Sequence, residues 1–532
     1  MTSGKSREMY LRPDIQAEPL IDQWYAWAHL IPPATAARNL THRHIPIMES
    51  YIAAPEVHAA AVKNPKMLGG PFIDYNGEHV GEIRDLLQAT RAQRGESIAL
   101  SKAFDDLDRL LQSRAKGESL QPLYPLVPEI LRGYVELVYD LYNQASFRLI
   151  EPLLYRRYQG QGQSVMLSLT TGDDRPFVLS TPRLPGPGLL PVELPFDSPA
   201  LDELFTAKVK PAPVEQLADL CGVADKDREF FSKFFTDQPP RPYVRYSGRG
   251  VRWRYFGHAC ILLETPKMSL LFDPVLSYTY ESAISRYTYQ DLPDWIDYVL
   301  ITHNHQDHVL FETLIQLRHK IGCIIVPRNG TPTLADPSLK LTLHAAGFHN
   351  VRELSELEMI ELESGSLMGL PFLGEHCDLN IQTKIAYLLD LNGHKLLFAA
   401  DSCNIEPYLY KHLQKEIGDI RALFLGMECD GAPGSWLYGP LYSRRLDRAH
   451  DQSRRLNGSN YDQGMAIVNS FNCRETFVYA MGQEPWMNYV MSLKYTPDSN
   501  PIVHSDKLIQ TCRSRGIFSE RLFGEREMLL DS

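Results

Sequence analysis

The 532-residue sequence has no excess of positive charge. Its 54 Lys and Arg face 65 Asp and Glu, a net of −11 without a basic block, which argues against a nucleic-acid backbone binder or a polybasic membrane-surface protein. Long apolar runs are missing too. Residues 298–301 and 396–400 are among the longest and have the length of strands, against the roughly 20 residues a membrane helix needs, so no span is expected. Residues 1–12 mix charges of both signs and hold no apolar core of a secretory signal, and the expected compartment is the cytoplasm. The eight cysteines are scattered with no C-x-x-C pair, which argues against a disulfide framework or zinc knuckle and for reduced, mostly buried thiols. Internal repeats, low-complexity tracts and a flavin or dinucleotide fingerprint are also absent.

What is present is enough apolar material, 44% hydrophobic against 22% charged, to build two or three domains. The first half reads as mainly helical. Residues 80–111 predict helix, and Leu131, Tyr134, Leu137, Val138, Leu141 and Tyr142 recur at the three- and four-residue spacing of one buried helical face. Residues 165–170 and 177–180, around a Thr-Gly-Asp-Asp turn, predict a hairpin. A Pro-rich stretch follows. After Pro239-Pro240-Arg241-Pro242, short strands alternate with helical segments. The expected boundary lies near residue 245, between a largely helical, mixed domain (1–245) and an α/β catalytic domain (246–532). The first half offers no cluster of metal-binding or nucleophilic residues, so a structural or dimerisation role is expected there.

The chemistry is concentrated in residues 297–308. An apolar strand runs directly into His303, His305, Asp307 and His308, the donor types of a transition-metal site at a strand's C-terminal end. The run Thr302–His308 fits T-H-x-H-x-D-H and so resembles the signature of the metallo-β-lactamase superfamily. That resemblance implies an αββα sandwich and two metals, with His303 and His305 at site one and Asp307 and His308 at site two. It also implies further ligands after later strands. Residues 370–373 end in Gly374-Glu375-His376, where Glu375 and His376 compete for the third place at site one. Residues 395–400 end in Asp401, at the position of the metal-bridging aspartate. Gln483 stands where many relatives have a last histidine, and His258, where the family has no ligand, reads as structural.

Three carboxylates (Asp307, Glu375, Asp401) beside three histidines favour iron or manganese over a zinc pair. An open site of that kind is a place to activate O2. With the long N-terminal half, Trp24-Tyr25-Ala26-Trp27, Gly69-Gly70-Pro71-Phe72-Ile73-Asp74-Tyr75, Glu375-His376 and Asp401, the chain resembles the diiron β-hydroxylases of chloramphenicol biosynthesis and their relatives. The resemblance implies a monooxygenase that hydroxylates the β-carbon of an aromatic amino acid held as a thioester on a nonribosomal peptide synthetase carrier domain. It implies two iron ions, with zinc the alternative, O2 as co-substrate and a homodimer. Glu375 and Asp401 would be the catalytic ligands. With no fingerprint for a redox cofactor, electrons have to come from an external donor such as a reductase. Arg444 and Arg445, in the densest basic stretch after the motif, are candidates for carrier contact. Trp436 and Tyr438, in the Gly-rich 431–442 loop, are candidates for an aryl pocket. The rival reading is a dinuclear zinc hydrolase of thioesterase or lactonase type, which calls for His376 in place of Glu375 and a histidine in place of Gln483. A module that has lost its metals is the third, disfavoured by the cost of keeping so many buried polar groups without an ion.

Overall fold

The computed structural model describes residues 8–158, 160 and 162–531. Two seven-stranded mixed sheets dominate it. The first runs, edge to edge, Val351–Leu354, Ile321–Pro327, Ile296–Leu300, Ser269–Phe272, Cys260–Glu264, Val251–Gly257 and Arg526–Leu530. The second runs Met359–Leu362, Gly365–Leu370, Ala386–Leu391, His394–Phe398, Ala422–Gly426, Glu475–Tyr479 and Phe518–Arg521. Aromatic side chains close the space between them. Phe272 stacks on Phe398 with centroids 4.0 Å apart, Phe398 on Phe424 at 4.5 Å, and Trp253 meets Phe424 and Phe477 edge-on. Helices Pro407–Ile417, Tyr461–Phe471 and Asn500–Ser514 cover the outer face of the second sheet through Leu413, Met465, Val468 and Leu508. Helices Phe311–Leu317 and Leu339–Ala345 cover the first. The result is the expected αββα sandwich, in which strands buried on both faces read as continuous apolar runs.

The N-terminal half is mixed. Helices Pro33–Asn39, Ile45–Ala53, Val80–Gln93 and Gly95–Arg114 accompany a four-stranded sheet of Trp24–Tyr25, Ile15–Ile21, Gln163–Leu169 and Leu189–Val192. Its core is continuous with that of the sandwich: Trp24, Trp27, Leu201 and Leu204 share one apolar cluster with Phe311, Leu314 and Leu343. No helix among the described residues is long and apolar enough to cross a membrane.

Two local expectations are corrected. Residues 131–142 are not a helix. A 3-10 turn, Glu129–Leu131, leads into strand Val135–Tyr139, paired with Ala145–Leu149. Val135 and Leu137 face inward, while Leu141 and Tyr142 are exposed at the turn. The turn decides the matter: Asp140 Oδ1 accepts from the backbone N–H of Tyr142 (2.9 Å) and Gln144 (2.8 Å), and Asn143 takes φ +57°. The strand at 163–169 forms, but 177–180 is a turn and not its partner. Pro176 precedes it, Val178 N–H donates to Tyr489 O, and the Ser180 hydroxyl donates to Phe72 O. The strand's partners are Ile15–Ile21 and Leu189–Val192.

One buried acid joins the halves. Glu151, 1% exposed, accepts from Ser338 N–H at 3.0 Å, and burial beside Asp336 pushes its carboxyl from 4.5 to about 8. A proton held more tightly in the folded state contributes stability in full below pH 4.5 and loses it as the pH rises through 8. Glu151→Gln is therefore expected to gain stability on the wild type across that interval, read from urea midpoints. Parallel curves would contradict it.

Candidate metal centre

The candidate ligand run sits on the loop that follows strand Ile296–Leu300, and the neighbouring strand orients it. Asp273, buried just after Ser269–Phe272, accepts from Thr302 N–H (2.8 Å), Thr302 Oγ1–H (2.7 Å) and His308 Nδ1–H (2.8 Å). With its proton committed to Asp273, Thr302 Oγ1 accepts from His303 Nδ1–H at 3.0 Å. Both imidazoles thus turn a bare Nε2 inward, the usual way a protein selects the ligating nitrogen. His305 is reversed. Its Nε2 pairs with Tyr438 OH at 3.0 Å, and its Nδ1 lies 2.6 Å from Glu375 Oε1. His258 accepts from Gly482 N–H at Nδ1 (3.1 Å), so its Nε2–H donates to Asp307 Oδ2 at 3.0 Å. It supports a donor and has no lone pair to offer.

The carboxylates arrive on strained backbone from the other sheet. Glu375 follows Gly365–Leu370 with φ +64°, and Ala400, just before Asp401, has φ +47°. Left-handed non-glycine residues of this kind cluster at functional sites. Glu375 Oε2 lies 3.9 Å from His303 Nε2 and 2.7 Å from His376 Nδ1. Asp401 Oδ2 lies between the two halves of the centre, 3.0 Å from His308 Nε2 and 3.8 Å from His303 Nε2. Asp307 Oδ2 is 3.6 Å from His308 Nε2. In each of the groups His303-His305-Glu375-His376 and His303-His308-Asp401, one donor atom per residue falls within 4.8 Å of all the others.

These residues fit a metal pair. His303 Nε2 and Asp401 Oδ1 are buried with no hydrogen-bond partner, which costs free energy unless a cation accepts the lone pairs. The surroundings also call for positive charge. Burial alone would lower His308, but Asp401, Asp273 and Asp307 raise it well above its ordinary value. Burial alone would raise Glu375, but His305, His376 and His303 hold it well below. Glu428, on the wall of the adjoining chamber, is pushed well above the carboxyl range by desolvation and by Asp401, Asp307 and Glu375.

The chamber has about 580 Å³ and is lined by His305, Asp307, Glu375, Asp401, Glu428 and Trp436, among others. A second cavity of about 1080 Å³ adjoins it. Trp436 lines both and Arg445 the second only; Arg444 is exposed and lines neither. Tyr438 also lines neither and is committed to His305. Gln483 lines neither, and the backbone N–H of Gly482 engages His258 instead. Sequence reasoning missed Asp273 and the Tyr438 contact. The run Phe272-Asp273-Pro274 after a strand was the available signal for Asp273. For Tyr438 there was none, since 133 residues separate it from His305. Tyr438→Phe is expected to weaken metal binding at the His303-His305-Glu375 group by about 10–100-fold while sparing the other group. Stepwise iron titration checks this, and two unchanged steps would contradict it.

An αββα sandwich with paired donor groups on one rim defines a dinuclear-metal protein of the beta-lactamase superfamily, and the family model for that superfamily domain matches residues 269–431. The model for the diiron non-heme beta-hydroxylase N-terminal domain matches residues 10–239. Over 98% of its length the chain is 41% identical to 4-amino-L-phenylalanyl-[CmlP-peptidyl-carrier-protein] 3-hydroxylase of Streptomyces venezuelae, covering 99% of that protein. The crystal structure of CmlA, a diiron beta-hydroxylase from the same organism, superposes with a TM-score of 0.93 at 41% identity, covering 99% of this chain and 100% of that one. A mutant of the CmlA beta-hydroxylase gives 0.90 at 40% identity over 98% and 100%. The chain belongs to the diiron non-heme β-hydroxylase family and is a hydroxylase.

Proposed function

We propose that this enzyme hydroxylates the β-carbon of an aromatic amino acid, 4-aminophenylalanine or a near analogue, tethered as a thioester to a nonribosomal peptide synthetase carrier domain. The observation that carries the reading is Glu375, a carboxylate set among His303, His305 and His376 where hydrolases of the superfamily have a third histidine. His303, His305 and Glu375 would hold one iron, and Asp307, His308 and Asp401 the other. When bound, the iron pair supplies the activation of O2. One oxygen atom goes to the β C–H and the other leaves as water, with two electrons from an external donor such as a reductase and two protons from solvent.

The chain's own part is orientation and exclusion of water. Asp273 holds the Nδ1 proton of His308, Tyr438 engages Nε2 of His305, and His258 gives a hydrogen bond to Asp307. Glu375 and Asp401 carry the negative charge that favours the higher oxidation state. The chamber holds the acyl group at short range from the donors, which is the positioning such chemistry needs.

The same reading divides the chain near residue 245 into an access and dimerisation portion and a catalytic portion, supported by the separate stretches the two family models match. The exposed Leu141 and Tyr142 support contact between two copies. The exposed Arg444, which lines neither cavity, supports docking of an acidic carrier. Eight cysteines, all free, support a reducing cytoplasmic setting. The zinc hydrolase alternative is not favoured. Metal analysis of protein made in iron-supplemented medium tests the reading: about two irons per chain are expected for a diiron enzyme, whereas two zincs with no iron retained after ferrous reconstitution would overturn it.

A further inference from the structure

The two cavities beside the metal centre share a wall. The inner chamber carries the donors, and the outer cleft runs between the N-terminal helices and the 433–452 segment. Gly69, Pro433, Trp436 and Gln452 line both. The indole of Trp436 stands between them. Its Nε1–H donates to Gly69 O at 2.8 Å, and its ring stacks on Phe177 at 5.9 Å and 24°. Gly69 takes φ +71°, and a Cβ there would lie 2.8 Å from Trp436 Nε1. The indole can therefore close this wall only while residue 69 has no side chain.

The charges of the outer cleft do not cancel. Asp105 is engaged by Arg38 and by His42 at 3.3 Å. Asp451 accepts from Ser435 N–H (2.9 Å) and Oγ–H (2.6 Å). Arg43 donates from Nη2 to the carbonyls of Trp436 and Leu437, and its buried Nη1 has no hydrogen-bond partner. Arg445 and Arg448, exposed on the rim, make no ion pair or hydrogen bond among the described residues. Behind them the walls are apolar, with Ile47, Phe72 and Leu179. A cationic rim, an apolar passage and a thin partition built around the Trp436 indole before the metal donors match a flexible chain with a phosphodiester at its outer end and an acyl group at its tip.

We propose that the outer cleft seats the phosphopantetheine arm of the carrier, with its phosphodiester between Arg445 and Arg448, and that Trp436 is the partition the arm displaces to deliver the aminoacyl group. The proposal rests on the carrier-bound substrate reading. Its test uses iron-loaded enzyme titrated with a 4-aminophenylalanyl carrier domain and with the same domain lacking its arm. The double variant Arg445→Glu/Arg448→Glu is expected to raise the Kd for the loaded carrier at least tenfold, with the Kd for the armless domain and the metal content unchanged. The loaded carrier is expected to change tryptophan emission of the wild type, and Trp436→Phe to abolish that change while the armless domain causes none. Equal weakening for both carriers would make the rim a protein-docking face and overturn the arm site, as would no weakening at all. An emission change that persists in Trp436→Phe would overturn the partition. Wild type that binds neither carrier would overturn the function reading itself, and the proposal with it.

Discussion

Glu375→Ala is expected to lower iron from two to about one per chain and to abolish β-hydroxylation, while His376→Ala retains both irons. Glu375 approaches His305 Nδ1 and His303 Nε2 from the second sheet, and its left-handed backbone aims the carboxylate at that pair. Removing it leaves one group with two imidazoles and no anion, whereas the Asp307, His308 and Asp401 group keeps all its donors. His376 directs Nδ1 to Gly374 O at 3.3 Å and stands beside Glu375 Oε2 at 2.7 Å, while the two carboxylate oxygens face His305 and His303. Glu375→Asp is the milder probe: shortening the carboxylate should alter reactivity with oxygen far more than stability. Metal analysis with single-turnover assays of the three variants checks the assignment. Full activity in Glu375→Ala, or loss of one iron in His376→Ala, would transfer the ligand role to His376.

Glu312→Ala is expected to destabilise the fold by about 3–5 kcal/mol, the cost of breaking a buried, hydrogen-bonded charge pair. Glu312 lies four residues after His308, at the start of helix Phe311–Leu317, and is 3% exposed. Its carboxylate accepts from Tyr25 OH (2.8 Å), Tyr278 OH (2.5 Å), Tyr489 OH (3.2 Å) and Arg175 Nη2 (2.7 Å). Arg175 reaches on to Glu18 at 2.5 Å and lies 3.5 Å over the Tyr489 ring. Tyr25 and Arg175 come from the N-terminal half, Tyr278 from a loop of the sandwich and Tyr489 from its short helix Asn488–Met491. Alanine removes the acceptor of three tyrosine hydroxyls and leaves Arg175 to Glu18 alone, and hydroxyls left unpaired in the interior are costly. Glu312→Gln keeps an acceptor and should lose less. Urea midpoints of the three proteins, measured with metal content, check this; a wild-type midpoint for Glu312→Ala would contradict it. The network ties the N-terminal half to the segment that carries the histidines, so the alanine variant should also bind iron less tightly.

The sandwich and the candidate ligands were legible because they depend on contiguous residues: apolar strands, a six-residue run of donors, and an acidic residue just past a strand end. The resemblance carried by Thr302–His308 supplied the rest of the ligand order. The hairpin at 135–149 was not legible from periodicity. Val135, Leu137 and Leu141 satisfy spacings of both two and four, and the tie was broken by an Asp140 turn whose hydrogen bonds leave no mark on the apolar pattern. The strand partner of 163–169 was hidden for a similar reason, since Pro191 lies within the short strand that pairs with it. Long-range polar contacts were also out of reach. Asp273 binding His308, Tyr438 binding His305, and Gly69 accepting from Trp436 join residues 35, 133 and 367 positions apart, and only the folded chain brings them together.

The proposed function places one oxygen atom of O2 on the β-carbon of a carrier-bound aromatic amino acid. Its most direct test is to reduce the iron-loaded enzyme, supply 4-aminophenylalanyl carrier domain under oxygen-18 gas, and weigh the intact carrier. The expected product is a carrier that keeps its aminoacyl group and gains one oxygen-18 atom, located at the β-carbon by fragmentation. An unchanged mass would contradict it, and so would loss of the aminoacyl group by thioester hydrolysis.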